Sequence, residues 1–353
     1  MAGETSDIAE MANKVADEIF KKFGWTALEL SDHNFECPKP NVHSNKDSGH
    51  EHPVDVVFCY IDPYTNKRIF INTDLKSYSK KSITQTSIRK ALYSLAKTID
   101  CAKVSDQWRA RYAYMQDESP EVRGMLFVYN HDGEYDRNFF EKIKPHSDDG
   151  DAGRAINLSN IPLSQDQVLH VVEPTFISYL TTIVNDMNVL HSDGKFPDKD
   201  YHFFYPELRL HKTHGPIVER PATIEMLSAP FLIIKHDEVI KYDEVSKGNI
   251  KTHSSGFLIY YNRPGDDYRE FVYFFDMLSN FQILDSGEPI RVRVACLNKS
   301  QDIIPNFKKA ITAYSTAWGF DEYKQSLIER IEIEPIETVK KSFSSIDIGW
   351  RDK

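Results

Sequence analysis

The chain has 353 residues and a mass of 40.8 kDa, which is long enough for two ordinary domains. Hydrophobic residues make up 41% and charged residues 27%, the composition of a soluble globular protein. No apolar run approaches the roughly 18 residues of a membrane helix, and the N-terminus lacks the pattern of a signal peptide. The four scattered cysteines fit neither a disulfide framework nor a CxxC motif, so we expect a cytoplasmic protein in a reducing environment.

The net formal charge of −10 argues against a protein that coats nucleic acid without specificity. The segment 67–103 differs from the rest, because it holds nine basic residues and only two acidic ones. Such a segment is either a solvated helix face or a surface that binds phosphate groups.

The first part of the chain predicts an α/β core. Apolar residues at three- and four-residue steps indicate a helix over 7–23. Two strands, 54–61 and 68–76, are joined by a turn and followed by an amphipathic helix over about 82–100. The apolar run 124–130 predicts a further strand. The predicted order is therefore helix, strand hairpin, helix, strand.

The remainder predicts a second α/β unit. Its expected elements are a strand at 168–172, a helix at 175–190, strands at 231–235 and 256–261, a helix at 267–284, a strand at 290–297, a helix at 303–318 and a strand at 330–333. We place domain boundaries at 1–150, 151–220 (a helical and loop extension) and 221–353. Segments 124–133 and 256–265 are weakly similar, which we interpret as two ordinary strand–turn–helix junctions and not as a duplication.

Three charged residues of the predicted hairpin form the best candidate for catalysis. Asp74 and Lys76 are two positions apart on a strand, so their side chains leave the same face. Asp55 opens the neighbouring strand beside an apolar run, where an acid is costly without a ligand or partner. The two carboxylates can converge on one cation, and hard oxygen ligands suit Mg²⁺ or Mn²⁺. The rival interpretation is an exposed salt bridge between Asp74 and Lys76, with Asp55 in a turn.

This arrangement resembles the PD-(D/E)XK nuclease superfamily, which has the restriction-endonuclease-like fold. The matching pieces are Pro53-Val54-Asp55 and Asp74-Leu75-Lys76, within a resemblance that covers about residues 5–130. The sequence departs from the motif in the one residue that separates Pro53 from Asp55.

The resemblance also implies further site residues. An acidic residue of the first helix often completes the metal site in that family, which points to Glu18, with Asp17 or Glu10 as substitutes. Gln85 corresponds to a polar helix residue that some branches of the family place at the active site.

The resulting hypothesis is a Mg²⁺- or Mn²⁺-dependent nuclease that hydrolyses phosphodiester bonds, most readily in DNA. Asp55, Asp74 and Glu18 would bind the metal, and Lys76 would serve the attacking water and the phosphate. The residues expected to hold the nucleic-acid backbone are Lys80, Lys81, Gln85, Arg89 and Lys90. The resemblance most readily suggests a role in restriction or phage defence.

Several alternatives stay open. The chain could be a non-catalytic nucleic-acid-binding or assembly subunit that keeps the nuclease fold as a scaffold. The C-terminal unit would serve recognition, dimerisation or docking. In addition to DNA, the expected partner is therefore a second copy of the chain or a companion subunit. The sequence does not distinguish DNA from RNA as the substrate, or cleavage at internal sites from cleavage at ends.

Two further groups of residues receive less weight. The loop that holds His33, Cys37, His43, His50 and His52 has no usual zinc spacing, which favours a solvated loop. The aromatic residues are expected to be mostly core, although Tyr78, Tyr93 and Trp108 near the basic segment could stack on bases.

Overall fold

The computed structural model describes residues 14–28, 33–43, 51–113, 120–135, 137, 139–143, 156–206, 220–243 and 247–339. They separate into two compact units, one up to residue 177 and one over residues 178–339. Each unit is built on its own five-stranded mixed sheet. Within the described ranges, no helix combines the length and the apolar character needed to cross a membrane.

The N-terminal unit begins with a π-helical turn, Val15–Ile19, and a 3₁₀ turn, Phe20–Phe23. Its further elements are β1 (Thr26–Leu28), β2 (Phe35–Glu36), α1 (Pro40–His43), β3 (Glu51–His52), β4 (Val56–Ile61), β5 (Arg68–Tyr78), α2 (Gln85–Ala102), α3 (Asp106–Tyr112), β6 (Glu121–Asn130), β7 (Leu169–Val172) and the start of α4 (Pro174–Ser192). The sheet order is β1-β4-β5-β6-β7, and β2 and β3 form a separate ribbon. The predicted hairpin, second helix and strand are thus confirmed. The first helix, expected over 7–23, lies outside the described residues up to 13, and its remainder forms the π-helical and 3₁₀ turns.

Both faces of the β4–β5 hairpin are covered, which explains why its sequence is almost continuously apolar. On one face, the ring centroid of Phe20 lies 4.9 Å from that of Phe58. On the other face, Phe70 packs edge-on against Trp108 at 5.7 Å. The hairpin strands are antiparallel, whereas β5, β6 and β7 run parallel.

Helix α2 lies over the face of the sheet that carries Phe70. Its N-terminus is fixed by a capping box between Thr84 and Ser87. Its apolar stripe approaches β6 closely, because a Cβ added at Gly124 would lie 3.2 Å from Leu95 Cγ and 3.3 Å from Ile99 Cγ2. A glycine at this position therefore allows the helix to pack directly on the strand.

The second unit contains most of α4 and then a second α/β arrangement. Its elements are β8 (Tyr201–Phe203), α5 (Ile224–Leu227), β9 (Phe231–His236), β10 (Val239–Asp243), β11 (Gly248–His253), β12 (Gly256–Tyr261), α6 (Tyr268–Asn280), β13 (Ile290–Val294), α7 (Ile303–Trp318), α8 (Glu322–Glu329) and β14 (Glu332–Pro335). The sheet order is β8-β9-β12-β13-β14, and β10 and β11 form a ribbon that the sequence did not predict.

The two sheets share one topology. In each, the first three strands in order are antiparallel and the last two run parallel to the third. A helix connects the third strand to the fourth in both units, α2 in the first and α6 in the second. By position, β12 corresponds to β5 and not to β6. The weak similarity between 124–133 and 256–265 thus relates strands at different places, in agreement with its interpretation as two ordinary junctions.

Candidate active site

The register of the hairpin places Asp55 opposite Asp74. Val56, the first residue of β4, pairs with Thr73, so the residue before Val56 and the residue after Thr73, which face each other, are both aspartates. The backbone N–H of Leu75 donates a hydrogen bond of 2.6 Å to Asp55 Oδ2. Only 7% of the Asp55 surface is exposed. This carboxylate is therefore fixed in a buried position, as its place beside the apolar run predicted, and it is not a solvated turn residue.

Lys76 and Asp74 extend from β5 on the same face. Lys76 Nζ lies 2.5 Å from Asp74 Oδ1, and the two side chains are 33% and 17% exposed. Asp55 thus forms the closed inner end of the group, while Asp74 and Lys76 remain accessible to solvent. A substrate would therefore contact Asp74 and Lys76 before Asp55.

The pKa of Asp55 reflects this geometry. Burial, followed by repulsion from the Asp74 carboxylate, raises the pKa of Asp55 to about 7. The Lys76 ammonium and the Leu75 N–H act in the opposite direction but do not compensate. Two adjacent carboxylates in a desolvated setting favour either a proton or a cation between them.

Lys76 has the reverse balance. Burial lowers its pKa, but the neighbouring Asp74 carboxylate outweighs that effect, so the net pKa of Lys76 is raised. The side chain is therefore an ammonium at neutral pH. It can donate hydrogen bonds and offset negative charge.

The donor set fits a hard divalent cation. Asp55 and Asp74 supply carboxylate oxygens, which Mg²⁺ and Mn²⁺ prefer over other protein ligands. A divalent charge between them would offset the repulsion that raises the pKa of Asp55.

Glu18, the third predicted ligand, belongs to a turn that continues into Phe20. The turn that carries it packs through Phe20 on the face of Phe58. Asp74 pairs with Leu126 of β6, on the face covered by α2. Glu18 is exposed, and no hydrogen bond or ion pair of the described residues links it to Asp55 or Asp74. Glu10 lies outside the described residues, as does the side chain of Asp17.

Two of the five predicted nucleic-acid-binding residues line one basic cavity. Arg89 and Lys90 of α2, together with Lys97, surround a cavity of about 430 Å³. Pro53 lines the same cavity, two residues before Asp55. The basic segment of the sequence thus forms a concave surface beside the candidate catalytic group.

The other three predicted binding residues lie in or after the loop from β5 to α2. Lys80 donates its backbone N–H to Asp132 Oδ2 at 2.9 Å, which holds this loop against the end of β6. Lys81 is exposed, and Gln85 is the half-buried first residue of α2.

Of the three aromatic residues proposed to stack on bases, one is excluded. Trp108 is 1% exposed, and its Nε1–H donates to Asn72 Oδ1 at 3.2 Å. It is a core residue, so that prediction was wrong. Tyr93 is 43% exposed and lines the basic cavity, while Tyr78 is half-buried and close enough for Lys76 to affect its pKa.

The prediction of a solvated His-rich loop was also wrong. His43 and His52 are buried together with Cys37 and Cys101, whereas His50 lies outside the described residues. Sequence reasoning missed Cys101, because it follows in a separate helix 49 positions after His52.

The corresponding place in the second unit has different chemistry. At the start of β9, Phe231 pairs with Tyr261 of β12, and their rings stack with centroids 6.4 Å apart. The residues that flank this pair are Pro230 and Asn262. In the described part of the second unit, this position therefore holds no pair of carboxylates.

Comparison with known proteins gives one match. Residues 1–175 match the family described as the GAPS4 protein PD-(D/E)XK nuclease domain. GAPS4 is a phage-defence-associated protein family. No curated protein and no solved structure matches the chain. The matched range ends two residues before the boundary between the two units at residue 177, and it contains Asp55, Asp74 and Lys76.

Proposed function

Since residues 1–175 are a PD-(D/E)XK nuclease domain of the GAPS4 family, we propose that the chain is a metal-dependent DNA endonuclease in phage defence. One observation carries the proposal. The hairpin register sets Asp55 opposite Asp74, with the Lys76 ammonium 2.5 Å from the second carboxylate. Paired carboxylates can hold a divalent cation that polarises a phosphate, and an adjacent ammonium can offset the charge that develops on it.

The roles of the three residues follow from their surroundings. Asp55 and Asp74 would hold Mg²⁺ or Mn²⁺, with Glu18 as a further ligand if the segment before β1 rearranges. When bound, such a cation lowers the pKa of a coordinated water and polarises the phosphate. The Leu75 N–H keeps Asp55 in place through its 2.6 Å hydrogen bond. Lys76, as an ammonium, would orient the attacking water and offset negative charge on the scissile phosphate.

The basic cavity supports nucleic acid as the substrate. Arg89, Lys90 and Lys97 line it, and Tyr93 adds an exposed ring on which a base could stack. Lys80, Lys81 and Gln85 would extend this surface around the N-terminus of α2. An overall charge of −10 leaves non-specific attraction weak, so binding would depend on this local surface.

The second unit would serve recognition or assembly. It repeats the topology of the nuclease unit but has Pro230 and Asn262, beside the stacked Phe231–Tyr261 pair, where the first unit has carboxylates. A fold kept without its catalytic pair suits contact with DNA, with a second copy or with a companion subunit.

The test is cleavage of supercoiled plasmid by the purified full chain with Mg²⁺ or Mn²⁺. We expect nicked and linear products from the wild type and none with EDTA. Asp74→Asn should lower the rate at least about 100-fold, as is typical when a group that stabilises the transition state is lost. Glu134→Gln is the matched control, because Glu134 is an exposed carboxylate of the same unit, and it should cleave at the wild-type rate.

The outcomes separate the rival functions. Cleavage by Asp74→Asn at the wild-type rate would refute the assigned site. Salt-dependent DNA binding without cleavage, unchanged in Asp74→Asn and in EDTA, would favour the non-catalytic scaffold. A parallel reaction with structured RNA distinguishes the substrate class, since cleavage of RNA alone would replace DNA in the proposal.

A further inference from the structure

Four buried side chains with soft or borderline metal-binding atoms meet beside the nuclease site but are separate from it. They are Cys37, His43, His52 and Cys101, and their exposed fractions are 8%, 6%, 4% and 0%. One possible ligand atom from each lies within 4.8 Å of all the others. The residues come from three separate segments, the stretch 37–43, the ribbon strand β3 and the C-terminal turn of α2.

Three distances among Cys37, His43 and Cys101 lie near the edge lengths of a coordination tetrahedron, and His52 has a ligand atom within 4.8 Å of the other three. With Zn–S bonds of about 2.3 Å and Zn–N bonds of about 2.05 Å, tetrahedral geometry gives S···S near 3.8 Å and S···N near 3.6 Å. Cys37 Sγ and Cys101 Sγ are 3.6 Å apart. His43 Nδ1 lies 3.7 Å from Cys37 Sγ and 3.1 Å from Cys101 Sγ. Cys37 and Cys101 are both free thiols in this structure.

The outer contacts of His43 match those of a metal ligand. While Nδ1 faces both sulfurs, Nε2 lies 3.4 Å from Asp100 Oδ2. Asp100 is itself held by Lys39 Nζ at 2.7 Å and by Gln167 Nε2 at 3.2 Å. A carboxylate that accepts from the far nitrogen of a ligating histidine fixes its tautomer and orientation. With the proton on Nε2, the lone pair of Nδ1 faces the two cysteine sulfurs.

We propose that Cys37, His43, His52 and Cys101 bind one structural Zn²⁺. Two thiolates and two neutral imidazoles form a closed set with no position left for water or substrate, as in structural zinc sites. Two thiolate charges neutralise the dication, so the bound cluster can be buried without net charge. Mg²⁺ would not select these ligands, because it prefers oxygen, so the site is chemically distinct from the Asp55–Asp74 pair.

The position of the site indicates what the ion would do. His52 precedes Asp55 by three residues, and only Pro53 and the buried Val54 lie between them. Cys101 lies on α2, the helix that covers the catalytic face of the sheet. The ion would therefore tie the segment that enters β4 to α2. Its binding energy would contribute to folding of the nuclease unit and to the placement of Asp55.

The first test measures metal content and does not depend on nuclease activity. The full chain, expressed with added zinc and dialysed without chelator, should carry about one Zn²⁺ per molecule by mass spectrometry of the element. Asp74→Asn should keep this zinc, and so should Cys59→Ala, which removes a buried cysteine of β4 outside the cluster. Cys101→Ser and Cys37→Ser should each lose most of it. Wild type free of zinc, or full zinc in both serine variants, would overturn the proposal.

The second test needs no variant, so it holds even if the serine proteins fail to fold. Wild-type protein is stripped of metal with a chelator, which is then removed, and is titrated with Co²⁺. The absorption spectrum should develop a thiolate-to-cobalt charge-transfer band and the intense visible bands of tetrahedral Co²⁺, both complete at about one equivalent. Zn²⁺ should then bleach both features. A spectrum of octahedral Co²⁺ without the charge-transfer band would contradict the Cys₂His₂ assignment. Because neither test uses DNA, loss of nuclease activity and loss of the zinc site are distinguishable.

Discussion

Replacing Asp55 by Asn should stabilise the metal-free protein while abolishing its nuclease activity. Burial and the Asp74 carboxylate raise the pKa of Asp55 from 3.8 to about 7. Between these two values the folded state binds the proton and the unfolded state does not, so stability falls as the pH rises. The loss is about 1.4 kcal/mol per pH unit and is complete above the folded pKa. An asparagine keeps an oxygen to accept the Leu75 N–H but carries no charge.

The stabilising effect of Asp55→Asn should therefore grow by about 3 kcal/mol between pH 5 and pH 8 in EDTA. Urea denaturation at a series of pH values measures the difference in unfolding free energy between the two proteins. In thermal unfolding, each kcal/mol of that difference should shift Tm by roughly 2–4 °C for a unit of this size. Glu134→Gln should show no such pH dependence. Mg²⁺ should stabilise the wild type and leave Asp55→Asn unchanged. An Asp55→Asn protein less stable than wild type at pH 8 would refute the view of Asp55 as a desolvated carboxylate in a repulsive pair.

Three further predictions concern catalysis and binding. Lys76→Met should reduce the rate of cleavage by about 100-fold or more while DNA binding persists. The control Lys67→Met, at the opposite end of the hairpin, should cleave at the wild-type rate. A Lys76→Met protein that also cleaves at the wild-type rate would exclude a role for the Lys76 ammonium. The Arg89→Ala/Lys90→Ala double variant should lower the slope of log binding constant against log salt by about 2, and an unchanged slope in DNA-binding titrations would remove the basic cavity from the interface. Since a cation competes with the proton on Asp55, the apparent affinity for Mg²⁺ should rise about tenfold per pH unit up to about pH 7 and then level off; a flat profile in cleavage titrations would contradict this competition.

The nuclease core could be predicted from sequence because its signals are local. Alternating and continuous apolar runs specify the hairpin, and a capped amphipathic stretch specifies α2. The juxtaposition of the two candidate carboxylates followed from the same reasoning. A short turn fixes an antiparallel register, and that register alone brings Asp55 opposite Asp74.

Other features depend on contacts that no local pattern encodes. The segment before β1 was expected to bring Glu18 to the metal; Phe20 packs this segment against Phe58, and the role of Glu18 stays a prediction. Trp108 follows the basic segment in sequence but is buried in the core, because its ring packs on Phe70 and its N–H donates a hydrogen bond to Asn72. In both cases the position of the segment in the fold depends on a tertiary contact.

The buried cysteine–histidine cluster shows why spacing rules fail for a ligand set assembled by the fold. Zinc motifs in sequence work when both ligands of a pair lie in one turn, so that their separation is fixed locally. Here Cys37 and His43 lie in one segment, His52 in a ribbon strand and Cys101 on a helix reached only after the whole hairpin. Their meeting depends on α2 returning across the sheet, which brings its last turn to the ribbon. A search for metal sites in related nuclease domains should therefore look for a cysteine at the end of this helix together with a histidine shortly before the first catalytic strand, since those two positions are fixed by the core fold.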